Sequence, residues 1–333
     1  MKTKKQLVIL TTHFGTNFSG GSTATCEIFS RLQSEFEKVV VVGTQLGKHP
    51  FKNLEFIKYR NWIHATKVLK SLSKTGSVFY GDFYNSFLFI HAKLPFFFTY
   101  HDNWPEMRNF GFNNKLKSLF FTPSYTSIFK RAETVFAVSK AKENYIKNFT
   151  SRYQVVKNGF SKHELASKER KMNKVLMVGS IDERKYLLAL NLFKRIPSST
   201  DLTVDIFGHI KDQTVSKKLD RFPFVRKMGF HENIPYAEYS LLLHTSMMEN
   251  LPLVFCESIF HNIPILAFDV GGSNEIVTRE NGMLIPPYDI SSLESSLKKI
   301  MSGAIAFPMN KEILKEHSWE TASKKYQLKM LAE

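Results

Sequence analysis

The stretch Leu241-Leu-Leu-His-Thr-Ser-Met-Met-Glu-Asn-Leu-Pro-Leu-Val-Phe-Cys-Glu-Ser-Ile-Phe-His-Asn-Ile-Pro-Ile-Leu-Ala-Phe268 decides the fold. Its opening run, 241–244, is short and mostly apolar and gives way to polar Thr245 and Ser246, as a buried strand does. Pro252 suits the first turn of a helix, where its missing N–H costs nothing, so a helix is expected over 252–261. A second apolar run follows at 265–268. Strand, helix and strand in so short a span form a crossover, and crossovers join parallel strands. The alternation continues outward. In the second half, strands are expected at 175–178, 203–207 and 282–285, with helices over 186–195, 214–220 and 290–301. In the first half, strands are expected at 7–10, 39–42, 78–80, 96–100 and 134–138, with helices over 22–37, 63–73 and 115–130. Two such runs imply two doubly wound α/β domains, with the seam near Asn158-Gly159, before the charged, helix-poor stretch 161–173. A last helix is expected over 318–331. Open α/β sheets bind ligands beyond the C-terminal ends of their strands, so two such domains facing each other would enclose a central cleft.

With 333 residues, 43% of them apolar, the chain can bury two cores of ordinary size. Cys26 and Cys256 make neither a disulfide framework nor a metal motif, which suggests a reducing compartment. The run 7–10 behind the basic N-terminus is too short for a signal peptide, and no apolar segment is long enough to span a bilayer; a cytoplasmic protein is expected. The net charge of +16 is uneven. Residues 1–160 hold 23 Lys or Arg against 9 Asp or Glu, whereas the remainder holds 23 against 21. Either lysine is merely abundant on one surface, or the first domain faces something anionic: nucleic acid, an acidic membrane or a phosphate-bearing acceptor.

Several strand ends carry residues suited to chemistry. Glu249 precedes the helix at Pro252, and Glu257 lies about two turns along it. Free amides at a helix start suit a phosphate, and carboxylates accept hydrogen bonds from sugar hydroxyls. The plainer alternative is an acid favoured near a helix N-terminus and another on a solvated face. Gly20-Gly21 follows the first strand and allows close backbone approach, with Ser22 expected as the cap of the next helix. His101-Asp102 ends the aromatic run 96–100, where the imidazole can meet a hydroxyl and Asp102 can hold the ring or meet an acceptor. Arg184-Lys185 places two cations at a helix start, a slightly unfavourable position that a diphosphate would compensate. Gly271-Gly272 allows a tight turn, after which Glu275 is expected to begin a helix. No metal-ligand spacing, dinucleotide fingerprint, P-loop or nucleophile elbow is present.

Each signal is weak alone; their order is not. Glu249-x7-Glu257, Gly271-Gly272-x-x-Glu275, Asn281-Gly282 and Pro286 together resemble the C-terminal signature of the retaining glycosyltransferases of family 4, which have the GT-B fold. Val138-Ser139, the stretch 155–160 (Val-Val-Lys-Asn-Gly-Phe), Val178-Gly179 through Lys185, Gly20-Gly21 and Ser318-Trp319-Glu320 look like further segments of that family. Ser180 stands where the family has an arginine, and Ser258 and Asn262 are milder departures.

The resemblance implies domains at 1–160 for the acceptor and 161–316 for the donor, with 317–333 crossing back to the first. It implies that Glu249 binds the donor sugar, helped by the amides of Asn250 and Leu251, and that Glu257 grips the ribose. Lys185, joined by Arg184 if it replaces the missing arginine, would neutralise the diphosphate. The amides at Gly20 and Gly21 would approach the same phosphates, and His101 would contact the sugar, with Asp102 beside it. Catalytic roles then fall to His101, Glu249 and Lys185. No metal or other cofactor is required. The expected partners are a nucleotide-sugar donor, UDP-linked by family frequency, and a glycan or lipid-pyrophosphate-linked acceptor in surface polysaccharide synthesis. An anionic inner membrane face is a further expected partner, and nucleic acid is not. The rivals are a GT-B epimerase or phosphorylase, for which no cofactor-binding lysine is identified, and a non-enzymatic nucleic-acid binder, which leaves Glu249 and Glu257 without a purpose.

Overall fold

The computed structural model describes residues 4–73, 76–160, 162 and 170–332, so most of the charged stretch at the expected seam lies outside the described residues. The chain divides into two units, Met1–Gly159 with Glu316–Glu333, and Phe160–Lys315.

The first unit holds strands β1 (Gln6–Leu10), β2 (His13–Phe14), β3 (Val39–Gly43), β4 (Gln45–Leu46), β5 (Leu54–Lys58), β6 (Ser77–Gly81), β7 (Phe97–Tyr100), β8 (Thr134–Ala137) and β9 (Tyr153–Val155). Seven of them form one sheet in the order β5-β3-β1-β6-β7-β8-β9, and β2 pairs with β4 apart from it. Every pairing in that sheet is parallel. The intervening helices are α1 (Gly20–Leu32), α2 (Trp62–Leu72), α3 (Phe87–Ala92), α4 (Phe112–Arg131) and α5 (Lys140–Ile146). A strand covered on both faces reads as a near-continuous apolar run, and β3, Val-Val-Val-Val-Gly, is buried throughout accordingly.

The second unit is a six-stranded parallel sheet of β10 (Lys171–Val178), β11 (Thr203–Phe207), β12 (Val225–Gly229), β13 (Tyr239–His244), β14 (Ile265–Phe268) and β15 (Gly282–Ile285), in the order β12-β11-β10-β13-β14-β15. Its helices are α6 (Glu183–Phe193), α7 (Gln213–Leu219), α8 (Leu253–Phe260) and α9 (Ile290–Met301). In both sheets the strand order runs outward one way and then reverses. The reversal falls between β1 and β6 in the first sheet and between β10 and β13 in the second. Those are the switch points at which ligands of doubly wound sheets bind.

The last helix, α10 (Trp319–Met330), belongs to the first unit. Trp319, Ala322, Tyr326 and Met330 form its buried stripe at helical spacing. The Ser323 hydroxyl donates to the Ile28 carbonyl of α1 at 3.2 Å, and Arg31 pairs with Glu320 at 3.2 Å. Beneath it runs a chain of buried polar groups. The Tyr326 hydroxyl lies 2.7 Å from Thr99 Oγ1, to which the Tyr80 hydroxyl also donates at 2.7 Å. Thr25 Oγ1, 3.5 Å from the Tyr80 hydroxyl, donates to Asp82 Oδ2 at 2.8 Å.

Three local expectations are corrected. Ser19, not Ser22, caps α1: its extended backbone (φ −158°) lets its side chain accept from the Ser22 amide, so Gly20 and Gly21 open the helix instead of preceding it. That helix ends at Leu32 and gives way to a 3₁₀ turn over Gln33–Glu35, short of the expected residue 37. Glu275 closes a single 3₁₀ turn, Ser273–Glu275, and begins no helix.

Candidate functional site

In the second unit, the candidate residues gather at the switch point. Beyond β10, Asp182 caps α6 by accepting from the Lys185 amide at 3.0 Å, which sets Arg184 and Lys185 in the first turn. Beyond β13 the chain runs through Thr245 and Ser246 to Glu249. The two segments are tied together by Thr245 Oγ1 donating to the Lys185 carbonyl at 2.7 Å and by the Met247 amide donating to the Arg184 carbonyl at 3.0 Å. Arg184 Nη1 also donates to the Met248 carbonyl at 3.3 Å. Lys185 Nζ then lies 3.0 Å from Glu249 Oε1, and His244 Nε2 contacts the same oxygen at 3.0 Å.

Burial works to raise the Glu249 carboxyl, but the Lys185 ammonium, the His244 hydrogen bond and Arg184 outweigh it and hold the group well below the ordinary carboxylate range. Burial pushes His244 below its ordinary value against the pull of Glu249, so the ring is neutral at pH 7 and donates its Nε2 proton to the carboxylate. The result is an ionised acid fixed by a cation and a neutral donor. The cations at this helix start, unfavourable in isolation, are compensated by Glu249 and by Asp182, 3.6 Å from Arg184.

The Glu249 loop depends on a glycine. Gly271 has φ +57°, and a Cβ there would come within 1.8 Å of the Glu249 carbonyl oxygen. The next amide, Gly272, donates to the Asn250 carbonyl at 2.9 Å. Leu251 is buried in the core of this unit. Pro252 takes the cap position of α8 with an extended ψ of 104°, so the helix opens at Leu253 and Glu249 stands four residues before it. Glu257, on α8, accepts from the buried Tyr236 hydroxyl, whose ring stacks on His261 with centroids 5.3 Å apart.

In the first unit, Gly21 and His101 meet. A Cβ on Gly21 would lie 3.0 Å from the His101 Cβ, so a bare backbone there lets the imidazole settle against the start of α1. Burial lowers the His101 pKa to about 4, leaving a neutral ring at pH 7. Asp102 accepts from the Tyr125 hydroxyl, and burial raises its carboxyl to about 6. At the switch point of this sheet lies a group the sequence reading passed over: Asp82, directly after β6 and fully buried, which burial raises to about 7 against the hydrogen bonds from Thr11 and Thr25. His244 and Tyr236 were missed as well. His244 reads as the last residue of a strand, but its place five residues before Glu249 was a usable signal. Tyr236 lies 21 positions from Glu257 and had none. Among the described residues no group of three or more His, Cys, Asp or Glu is placed to hold a metal ion.

Residues 161–318 match the family model of glycosyl transferases group 1. No curated protein matches the chain. Solved structures match it over almost its whole length. Sucrose-phosphate synthase from Thermosynechococcus elongatus superposes with a TM-score of 0.77 at 15% identity, covering 99% of this chain and 100% of that one. Anabaena HepE, in complex with UDP and glucose, gives 0.75 at 15% identity over 99% of this chain and 100% of its own. WaaG, a glycosyltransferase involved in lipopolysaccharide biosynthesis, gives 0.75 at 16% identity over 97% and 99%. The fold is that of the GT-B glycosyltransferases, two doubly wound α/β units.

Proposed function

We propose that this chain is a retaining glycosyltransferase of family 4 that moves a sugar from a UDP-linked donor to a glycan or lipid-pyrophosphate-linked acceptor in surface polysaccharide synthesis, on the cytoplasmic side of a membrane. The observation that carries the reading is the Lys185–Glu249–His244 cluster at the switch point of the second sheet. The match to glycosyl transferases group 1 spans that cluster, and HepE, of like fold, is known in complex with UDP-glucose.

In this reading Lys185 and Arg184 meet the donor diphosphate and favour it most as it departs, since fixed charges act hardest where charge develops. Glu249, kept ionised by its neighbours, accepts hydrogen bonds from the sugar hydroxyls, with the amides of Asn250 and Leu251 beside it. Glu257, steadied by Tyr236, accepts from the ribose hydroxyls. In the first unit, neutral His101 meets a sugar hydroxyl, the amides of Gly20 and Gly21 face phosphate, and Asp102 meets the acceptor. The bond from the anomeric carbon to the phosphate oxygen breaks as the acceptor oxygen attacks from the same face. The acceptor's proton passes to the departing phosphate oxygen, and the nucleoside diphosphate leaves. Side-chain cations supply the neutralising charge, so the reading requires no metal cofactor.

The test pairs binding with turnover. UDP sugars should raise the melting temperature of the wild type, since a ligand of the folded state stabilises it. Glu249→Ala should keep its fold and lose transfer. Full activity in that variant, or no response to any nucleotide sugar, overturns the proposal.

A further inference from the structure

Helix α4 is apolar on two faces. Its inner face buries Tyr125, Ile128 and Phe129. Its outer face carries Phe112, 73% exposed, Leu116, 50%, and Leu119, 75%, spaced four and three residues apart and so aligned on one side. Phe120 extends this ridge towards α2, where its ring stacks on Trp62 with centroids 5.6 Å apart and planes 8° from parallel. On α2 itself Ile63 is 70% exposed. Large apolar side chains gathered like this on a surface mark a contact site.

The charge around the ridge selects the occupant. Residues 56–81, which include α2, hold five Lys or Arg and no Asp or Glu, and residues 107–132, which include α4, likewise hold five and none. Lys67 and Lys70 are exposed on α2, and Lys115 and Lys117 on α4. A purely apolar ridge would suit another protein face, and a purely basic one any polyanion. An apolar ridge flanked by cations, with no acid on either helix, suits a bilayer with anionic headgroups: the ridge enters the acyl boundary and the lysines meet phosphate. Among the described residues no helix is long and apolar enough to cross a membrane, so this would be attachment at the surface.

We infer that the α2–α4 surface docks on an anionic lipid bilayer, with Phe112, Leu116, Leu119, Ile63 and Trp62 inserted. This deepens the proposed function by naming how the enzyme reaches a lipid-linked acceptor. It rests on separate residues, and its test needs no turnover, so either reading can fail alone.

The experiment is sedimentation with phosphatidylcholine vesicles, with and without phosphatidylglycerol, at low and high salt. Trp62 is the one exposed tryptophan of the three; Trp104 and Trp319 are buried. Quenching by brominated acyl chains therefore reports insertion of Trp62, with Trp62→Phe as the control. Binding should require phosphatidylglycerol and weaken with salt. It should fall by about tenfold for each of Leu116→Gln and Leu119→Gln, as expected for a leucine withdrawn from an apolar phase. These side chains are exposed, so the fold should be unaffected, as an unchanged melting temperature would confirm. Binding that ignores the leucine changes, or quenching absent from bound protein, overturns the inference. So does concentration-dependent dimerisation that Leu119→Gln abolishes, which would assign the ridge to a second copy of the chain.

Discussion

Asp82 and Glu249 stand past the ends of β6 and β13, strands that occupy the same place in two sheets of the same wiring. Both sites are sunk in protein, which disfavours charge on a carboxylate. Asp82 is held by the hydroxyls of Thr11 and Thr25, too weak a counterweight to burial, and is pushed up to about 7. Glu249 faces Lys185, Arg184 and His244, and is driven well below the usual range. The wiring fixes where an acid stands; its neighbours fix its charge. One unit thus holds its switch-point acid only partly ionised near pH 7, whereas the other keeps an anion and two cations ready for a polar ligand.

The sharpest way to break this contrast is to titrate it. Asp82 has a raised folded pKa, so its contribution to stability is complete below the unfolded value and is lost as pH rises through about 7. The loss from about pH 4 to pH 8 should approach 4 kcal/mol at most, for a shift of roughly 3 units. Asp82→Asn cannot ionise, so urea unfolding should show it gaining on the wild type across that window. Parallel pH profiles for the two proteins would show that Asp82 is already ionised. Next in size, Lys185→Ala should lower the turnover of transfer by about 100-fold or more, close to 3 kcal/mol of barrier, because one charged donor to the leaving group is gone. Steady-state kinetics check this, and wild-type turnover would remove Lys185 from the site. Gly271→Ala should destabilise the fold by roughly 2 kcal/mol, since φ +57° and the Glu249 carbonyl both oppose a side chain. Calorimetry should record a lower melting temperature, and an unchanged one would mean that the Glu249 loop relaxes freely. The smallest effect belongs to Ser19→Ala, about 1 kcal/mol for a lost helix cap, measured by urea unfolding. It sharpens the comparison because α1 begins at the first sheet's glycine pair, away from the charged cluster.

Much of the fold was legible because central parallel strands are largely apolar. The runs at 7–10, 39–42 and 265–268 announced themselves this way. β5, β9 and β12 did not, for they lie at sheet edges, where one side is solvated; β12 reads Val-Arg-Lys-Met-Gly. Helix α5, short and lysine-rich, carried too little amphipathic pattern to be seen. At the site, the local chemistry of Glu249 and Lys185 was readable, but their 3.0 Å meeting depends on three crossovers that bring residues 64 positions apart to one switch point. Only the resemblance joined them in advance. Asp82 went unseen because an acid directly after a buried strand is ordinarily a turn residue, and its partner Thr25 comes from α1, 57 positions away in sequence.

The polar chain from Tyr326 to the neighbourhood of Asp82 carries a consequence for biosynthesis. The N-terminal unit is translated first, yet its core is closed by α10, which emerges only after the whole of the other unit. Until then Thr99 lacks its tyrosine partner from α10, and the apolar flank of α1 is uncovered. The unit begun before the other is therefore completed after it, and a nascent polypeptide would expose that unsealed flank until α10 emerges.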